Sequence, residues 1–339
     1  MDSTLDALKK IILAFAQQNK PTRVRMLEEI VKTTVKFAQE SPGTLNLKLA
    51  ATTLKELRYS FKMFYPFRFV PKITVFGSAR VAPDTPLYEL ARDFARKANE
   101  HNFLVITGGG PGIMAAGNEG AKGKSFGLNI RLPFETKPNP FIEPSRGLIH
   151  YKYFFTRKLF LVKEASAFAL FPGGYGTFDE AFEVLTLLQT GKMPLIPVVC
   201  LAPKRDPFWK NFEKFLKKTV VDNRYAAPDD VRLFRLFHDP DLALRHILHF
   251  YRLYHSMRTV KDGIVLRLKI ALTPHHIDSL ARDFHDMLPA RKKFELTGPA
   301  DEESNEPELK AFPRLLIPNP SPRPARLRLF IDALNKIRV

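Results

Sequence analysis

The chain is poor in cysteine, with one, Cys200, among its 339 residues. No disulfide can close within it, and a lone thiol fits a reducing compartment. Cys200 ends the apolar run PLIPVVC, where it reads either as a small buried hydrophobe or as a reactive nucleophile. Long hydrophobic runs are also missing: none approaches the ~18 apolar residues of a membrane helix. The opening stretch MDSTLDALKKIILAFAQQNK places acidic residues ahead of a short apolar segment, with no small-residue cleavage site after it. It is not expected to act as a signal peptide. A cytoplasmic protein with no membrane partner is the expectation. The histidines, His275 and His276 among them, lack metal-ligand spacing with other His, Cys or Asp, so no metal site is expected.

Acidic residues are in short supply. Lys and Arg number 53 against 35 Asp and Glu, a formal charge of +18. The balance favours an anionic partner: nucleic acid, an acidic surface or a phosphorylated small molecule. The basic clusters, KFLKK (Lys214 to Lys218) and the tail SPRPARLRLF, lack the aromatic interleaving of a single-strand binding platform, so nucleic acid is not the expected partner.

What is present is an alternation of elements. Residues 1–70 have helical spacing, with Leu5, Leu8, Ile12 and Phe15, then Val24, Leu27, Ile30 and Val31, then Leu54, Leu57 and Phe61. From Pro71 the texture changes. KITVFGSAR, FLVITGGGPG, SFGLNIRL, SAFALF and PLIPVV read as strands. PLYELARDFARKANEHN, IMAAGNEGAKGK, FFTRKLFLVKEA and GTFDEAFEVLTLLQTG read as helices. This predicts an α/β fold: a Rossmann-like open parallel sheet with helices on both faces. DPDLALRHILHFYRLYHSMR reads as one long helix capped at Asp239 or Asp241. Beyond it, GIVLRLKI and KKFELTG read as strands, LTPHHIDSLARDFHDML as a helix with a Thr cap and an early Pro, and DEESNEPE as an exposed acidic link. The expected organisation is a helical extension over 1–70, a nucleotide-binding catalytic domain over 71–258 and a small mixed appendage over 259–339.

Two glycine-rich turns end parallel strands: TGGGPG (Thr107 to Gly112) and PGGYGT (Pro172 to Thr177). Ligands of open parallel sheets bind beyond the carboxyl ends of the strands. A helix starting there offers unpaired N–H groups to an anion. No Gly-Lys-Ser/Thr ends either turn, and no G-x-G-x-x-G follows the first strand, which argues against an NTPase and against dinucleotide redox chemistry. Glu180, beside Asp179, follows the second turn. It reads either as a helix-start carboxylate in a capping box with Thr177 or as a carboxylate near a bound sugar, holding the ribose or positioning water. Arg157 and Lys158 read as a surface pair or as a phosphate clamp. Ser78, Asn118, Glu119, Asn129, Arg131 and Glu143 are weaker polar candidates.

Taken together, GGGPGIMAAGNEGA, the SFGLNI and LPFE segments of Ser125 to Glu135, FFTRK and PGGYGTFDE resemble the LOG (Lonely Guy) family of nucleoside 5′-monophosphate phosphoribohydrolases, long mislabelled lysine decarboxylases. The likeness is strongest from Lys72 to Thr190 and extends to Arg258. The whole chain resembles a longer bacterial subgroup with extensions at both ends. The resemblance implies hydrolysis of the N-glycosidic bond of a nucleoside monophosphate, AMP-like or a cytokinin riboside monophosphate, without metal or PLP. It implies Arg157 and Glu180 as the catalytic pair, with the phosphate cradled by Gly173, Gly174, Gly176 and Thr177. Lys158, Ser78, Asn129 and the first turn, Gly108, Gly109, Gly110 and Gly112, belong to the implied substrate pocket. A homodimer or larger homo-oligomer is implied too. Two positions depart from the family pattern. Phe154 stands where plant-type members often carry Met, and Ala115 where many carry Glu, which bears on base selectivity more than on hydrolysis. Decarboxylation would need a Schiff-base lysine with an acidic partner for the pyridinium, and no lysine is so placed. The other reading is a non-catalytic nucleotide-binding or sensor protein.

Overall fold

The computed structural model describes residues 2–18, 21–40, 43–131, 137–142, 147–303, 306–319 and 323–338. Contacts divide the chain into two compact units, one ending at Tyr59 and one starting at Ser60. The first holds α1 (Asp2–Gln18), α2 (Pro21–Gln39) and most of α3 (Thr44–Phe64). The junction between α2 and α3 falls partly outside the described residues, since Ser41 and Pro42 are not among them.

The second unit is built on a seven-stranded sheet. Its strands are β1 (Lys72–Phe76), β2 (Leu104–Thr107), β3 (Ser125–Ile130), β4 (Leu148–Tyr151), β5 (Ala167–Leu170), β6 (Val198–Leu201) and β7 (Arg235–Phe237). They lie in the order β4-β3-β2-β1-β5-β6-β7, and every pairing is parallel. The chain winds outward from β1 to β4, then returns to the other side of β1 as β5. That reversal opens a crevice at the carboxyl ends of β1 and β5, where ligands of such sheets bind.

Side chains of β1 alternate between the faces, as strand geometry requires. Ile73 and Val75 join a core built with Phe94 and Ala95 of α4 (Pro86–Glu100), Ile113 and Ala116 of α5 (Ile113–Gly120), and Leu244 and Ile247 of α9 (Pro240–Phe250). On the opposite face Thr74 donates its Oγ1 hydrogen to Leu161 O at 2.7 Å, fastening α6 (Phe154–Lys163). The last turn of α3 packs there too: Phe64 lies 4.5 Å from Phe126 between ring centroids and stacks on Phe160. The Ser60 and Tyr151 hydroxyls bond at 2.6 Å. Helices α7 (Tyr175–Gln189) and α8 (Phe208–Phe215) complete this part. The predicted α/β parallel sheet is therefore present. Cys200 is buried in β6 and burial raises its thiol pKa, the opposite of activation.

Beyond α9 lies a four-stranded antiparallel sheet in the order β10-β11-β9-β8, made of β8 (Tyr254–Val260), β9 (Gly263–Leu268), β10 (Glu295–Thr297) and β11 (Arg314–Ile317), with α10 (Pro274–Asp283) and α11 (Pro324–Leu334). Asp239 caps α9 and Thr273 caps α10 as expected.

Several expectations fail here. The long helix from Asp239 to Arg258 ends at Phe250, and its second half is β8. Asn335 decides this: its Oδ1 accepts the N–H groups of Leu253 and Tyr254 at 2.7 and 3.1 Å, and its Nδ2 donates to Phe250 O. The acidic link is not wholly exposed. Glu303 is buried between Arg267 and Arg314, at 2.6 and 2.9 Å, and the cations hold its carboxyl down to about 2 although burial alone pushes it up. Strands β4, β7 and β11 and helix α11 had no forecast. No described helix is long and apolar enough to cross a membrane.

Candidate functional site

The crevice between β1 and β5 widens into a cleft of about 620 Å³, within the usual range for small-molecule sites. Each wall is a strand-to-helix turn. After β1 come Gly77, Ser78 and Arg80; after β2, Gly108, Gly110 and Met114; at the end of β3, Asn129; and after β5, Gly174 to Glu180. The turns are bonded to one another. Ser78 N donates to Pro172 O at 3.1 Å, Ile113 N to Ser78 O at 3.0 Å, and Arg80 N to Ser78 Oγ at 3.1 Å.

Helix α7 starts with Gly174 at its N-cap and no side-chain cap. Its first N–H groups, on Tyr175, Gly176 and Thr177, have no acceptor within the helix and sit on the cleft wall. A Cβ on Gly173 would overlap Thr177 Oγ1 and lie 2.8 Å from Ser78 N, so only glycine lets this turn close. Around Gly174 and Gly176 there is open space instead, so a bound group can approach the bare backbone. This start excludes the capping box. Thr177 lies inside the first turn rather than at the N-cap, and Glu180 lies a further turn along, so Glu180 does not bond the helix start.

Arg157 projects from α6 toward the first glycine turn, where a Cβ on Gly108 would overlap its Nη2. Its Nε is buried without a hydrogen-bond partner, and so is Oε2 of Glu180. A buried guanidinium N–H left without a partner is costly. Burial lowers the Arg157 pKa, opposed by the charges of Glu180 and Tyr151. Burial likewise pushes the Glu180 carboxyl up to about 7, against the pull of Lys158 and Arg157. A carboxyl near neutrality can take or give a proton at working pH.

Of the candidates drawn from the sequence, Arg157, Glu180, Ser78, Gly108, Gly110, Asn129, Gly174, Gly176 and Thr177 line the cleft. Gly173, Gly109 and Gly112 do not, and serve as turn geometry behind it. Gly109 and Gly112 adopt φ of 73° and 65°, and a Cβ on Gly112 would overlap Ser78 O. Lys158 also stays off the wall: its ammonium pairs with Asp179 at 2.8 Å and Glu183 at 3.9 Å. Its i,i+1 spacing from Arg157 on α6 puts the two on different faces. Glu119 bonds the Tyr88 hydroxyl at 2.8 Å and Arg92 at 3.2 Å, away from the cleft, and Glu143 lies outside the described residues. Arg80, Lys137, Met114 and Tyr175 line the cleft without having been singled out, and so does Phe154, noted only as a departure from the family pattern. Arg80 carried a signal, since it closes the GSAR turn of β1. Lys137 carried none, because its place depends on how its loop folds back. Among the described residues no cluster of His, Cys, Asp or Glu could hold a metal ion.

A family model described as possible lysine decarboxylase matches residues 99–247. The cytokinin riboside 5′-monophosphate phosphoribohydrolase LOG2 of Arabidopsis thaliana is 31% identical over 152 residues, covering 44% of this chain and 70% of the plant protein. Among solved structures, the molybdenum cofactor binding protein of Rippkaea orientalis is 16% identical over 53% of this chain and 96% of that one, with a TM-score of 0.38. DNA processing protein A of Helicobacter pylori is 13% identical over 54% of this chain and 83% of that one, with a TM-score of 0.39. Likenesses this loose say nothing about what the chain binds. The family model spans both glycine turns and the helices that carry Arg157 and Glu180, and by its relation to the plant protein the chain belongs to the LOG family.

Proposed function

We propose that the chain hydrolyses the N-glycosidic bond of a nucleoside 5′-monophosphate, releasing free base and ribose 5-phosphate. One observation carries this reading: a buried Arg157 Nε without a hydrogen-bond partner and a half-buried Glu180 carboxyl near neutral pKa line one cleft beside a helix start without a side-chain cap. The phosphate would rest on the N–H groups of Tyr175 to Thr177, with the Ser78 turn closing around it. Arg157 would anchor the phosphate–sugar end or assist the leaving base. As the bond from C1′ to the base nitrogen breaks, its electron pair leaves with the base and positive charge grows on the ribose. The Glu180 carboxylate would stabilise that charge and take a proton from the water attacking C1′. The base preference is AMP-like or that of a cytokinin riboside monophosphate; the plant relative's name favours the second and nothing in the cleft separates them.

We also propose a homo-oligomer, at least a dimer. Phe155 and Leu159 of α6 and Tyr175 and Phe182 of α7 are exposed, Tyr175 at 97%. The Lys158 ion pairs hold these two helices together. Phe154 and Tyr175 also line the cleft, so a second copy on this face would border the site.

The test is incubation with purine, pyrimidine and isopentenyl-adenine monophosphates, with detection of free base and ribose 5-phosphate. Glu180→Gln is expected to abolish base release while nucleotide binding persists. Wild-type protein that binds AMP and never releases adenine would instead make this a nucleotide sensor.

A further inference from the structure

The first glycine turn is held from behind by a closed set of buried polar groups. Asn139 donates its main-chain N–H to Gly109 O at 2.9 Å, and its Nδ2 to Gly110 O at 3.0 Å and Asn118 Oδ1 at 2.9 Å. Its Oδ1 accepts from Phe141 N at 3.2 Å. Asn118 Oδ1 also accepts from Thr107 Oγ1 at 2.8 Å, and its Nδ2 donates to Ser125 Oγ at 3.0 Å. Thr107 Oγ1 in turn accepts from Gly109 N at 3.0 Å. Thr107, Asn118, Ser125 and Asn139 are all buried. The set joins β2, α5, β3 and the loop at 137–142. A strand-to-helix turn needs glycines at positive φ, but it does not need such a network, which is costly wherever it is incomplete.

The network fixes a direction. Across a trans peptide the C=O and the following N–H point to opposite sides. Gly109 O points at Asn139, so the N–H of Gly110 points away from it. Gly110 lines the cleft, and its N–H has no partner among the described residues. Pro111 brings no N–H of its own. The turn thus offers a fixed donor, one strand spacing (about 4.8 Å) beyond β1, on the side of the phosphate turn toward Asn129.

We infer that Asn139 is a positioning residue: its clamp on Gly109 and Gly110 aims the Gly110 N–H at the nitrogenous base of a nucleoside monophosphate. This rests on the hydrolase reading above. When the C1′–N bond breaks, the departing base takes the electron pair and gains negative charge. A donor already aimed at a ring acceptor of that base stabilises the charge without reorganising. An untethered turn would have to be ordered at each turnover.

The experiment measures kcat and KM for purine 5′-monophosphates that differ only at the 6-position, and so in the acidity of the leaving base. Asn139→Ala is expected to lower kcat about 10- to 100-fold with KM changed by less than about threefold. The slope of log kcat against leaving-base pKa should steepen, since poor leaving groups lose most. Asn118→Ala should behave alike, and the double variant should cost no more than the worse single one. Equal losses across the series with an unchanged slope would mean a purely structural role and overturn the inference. A rise in KM alone, or no change, would overturn it as well. Where the Ala variant fails to fold, Asn139→Asp carries the same test, because it keeps the shape and the bond from Phe141 N but offers no donor to Gly110. If wild-type protein releases base from no monophosphate, the hydrolase reading falls instead, and that result is distinct from the others.

Discussion

Glu180 and Arg157 show what a residue's surroundings can do to its chemistry. Both are ordinary surface residue types held in a cleft with polar atoms left unpaired. For Glu180 the folded-state pKa of about 7 lies above the usual 4.5. The folded chain therefore binds this proton more tightly than the unfolded chain does. The stability tied to it is full below about pH 4.5 and is lost as pH rises through about 7. Glu180→Gln should thus raise stability at pH 8 by about 1–3 kcal/mol and leave it unchanged near pH 4. Paired denaturant titrations at the two pH values check this, and an equal effect at both would count against a raised pKa. Activity should run the other way. If the ionised carboxylate works, kcat/KM rises about tenfold from pH 6 to 8, above the phosphate's own second ionisation near ~6. A flat profile over that range would remove Glu180 from the base role. The pairing of Arg157 with Glu180 was suggested by the resemblance alone, because 23 positions separate them in the chain and only the packing of α6 on β1 brings both to one cleft.

At the scale of elements, the strand–turn–helix unit from β5 to α7 explains which glycines matter and why. Gly173 is confined by Thr177 and Ser78, whereas Gly174 and Gly176 face open space. Gly173→Ala should push the turn away from the Ser78 loop, cost about 1–3 kcal/mol of stability and raise KM for the monophosphate. Thermal melts and steady-state kinetics check both, and an unperturbed KM would show that the turn is not the phosphate seat. The same unit shows where sequence reading succeeds. A β-branched run followed by glycines and an apolar helix is a local signal, and β1, β2, β3, β5, α4, α6 and α7 were all legible from it. The stretch from Tyr251 to Arg258 was not. Its apolar spacing suits a helix, and it becomes β8 because Asn335, some 80 positions later, takes the N–H groups of Leu253 and Tyr254 and because β9 pairs with it. The partners of Lys158 were hidden for a similar reason: Asp179 and Glu183, on another helix, take its ammonium.

For the whole molecule, the exposed aromatic face of α6 and α7 leads to a prediction in solution. Light scattering should give a mass of at least two chains, and Phe155→Asp with Leu159→Asp should yield monomers with impaired turnover, since the face borders the cleft. A monomeric wild-type protein with full activity would remove the oligomer from the account. The sequence by itself determined the fold class and the two glycine turns. Those follow from local periodicity and from backbone freedom at glycine, neither of which needs a distant residue. Only the tertiary structure decided which candidates share the cleft, that burial raises the Glu180 carboxyl, that Lys158 pairs with Asp179 and that Asn139 stands behind the first turn. Each of these depends on burial and on partners far along the chain, and both exist only once the sheet has brought its strand ends together.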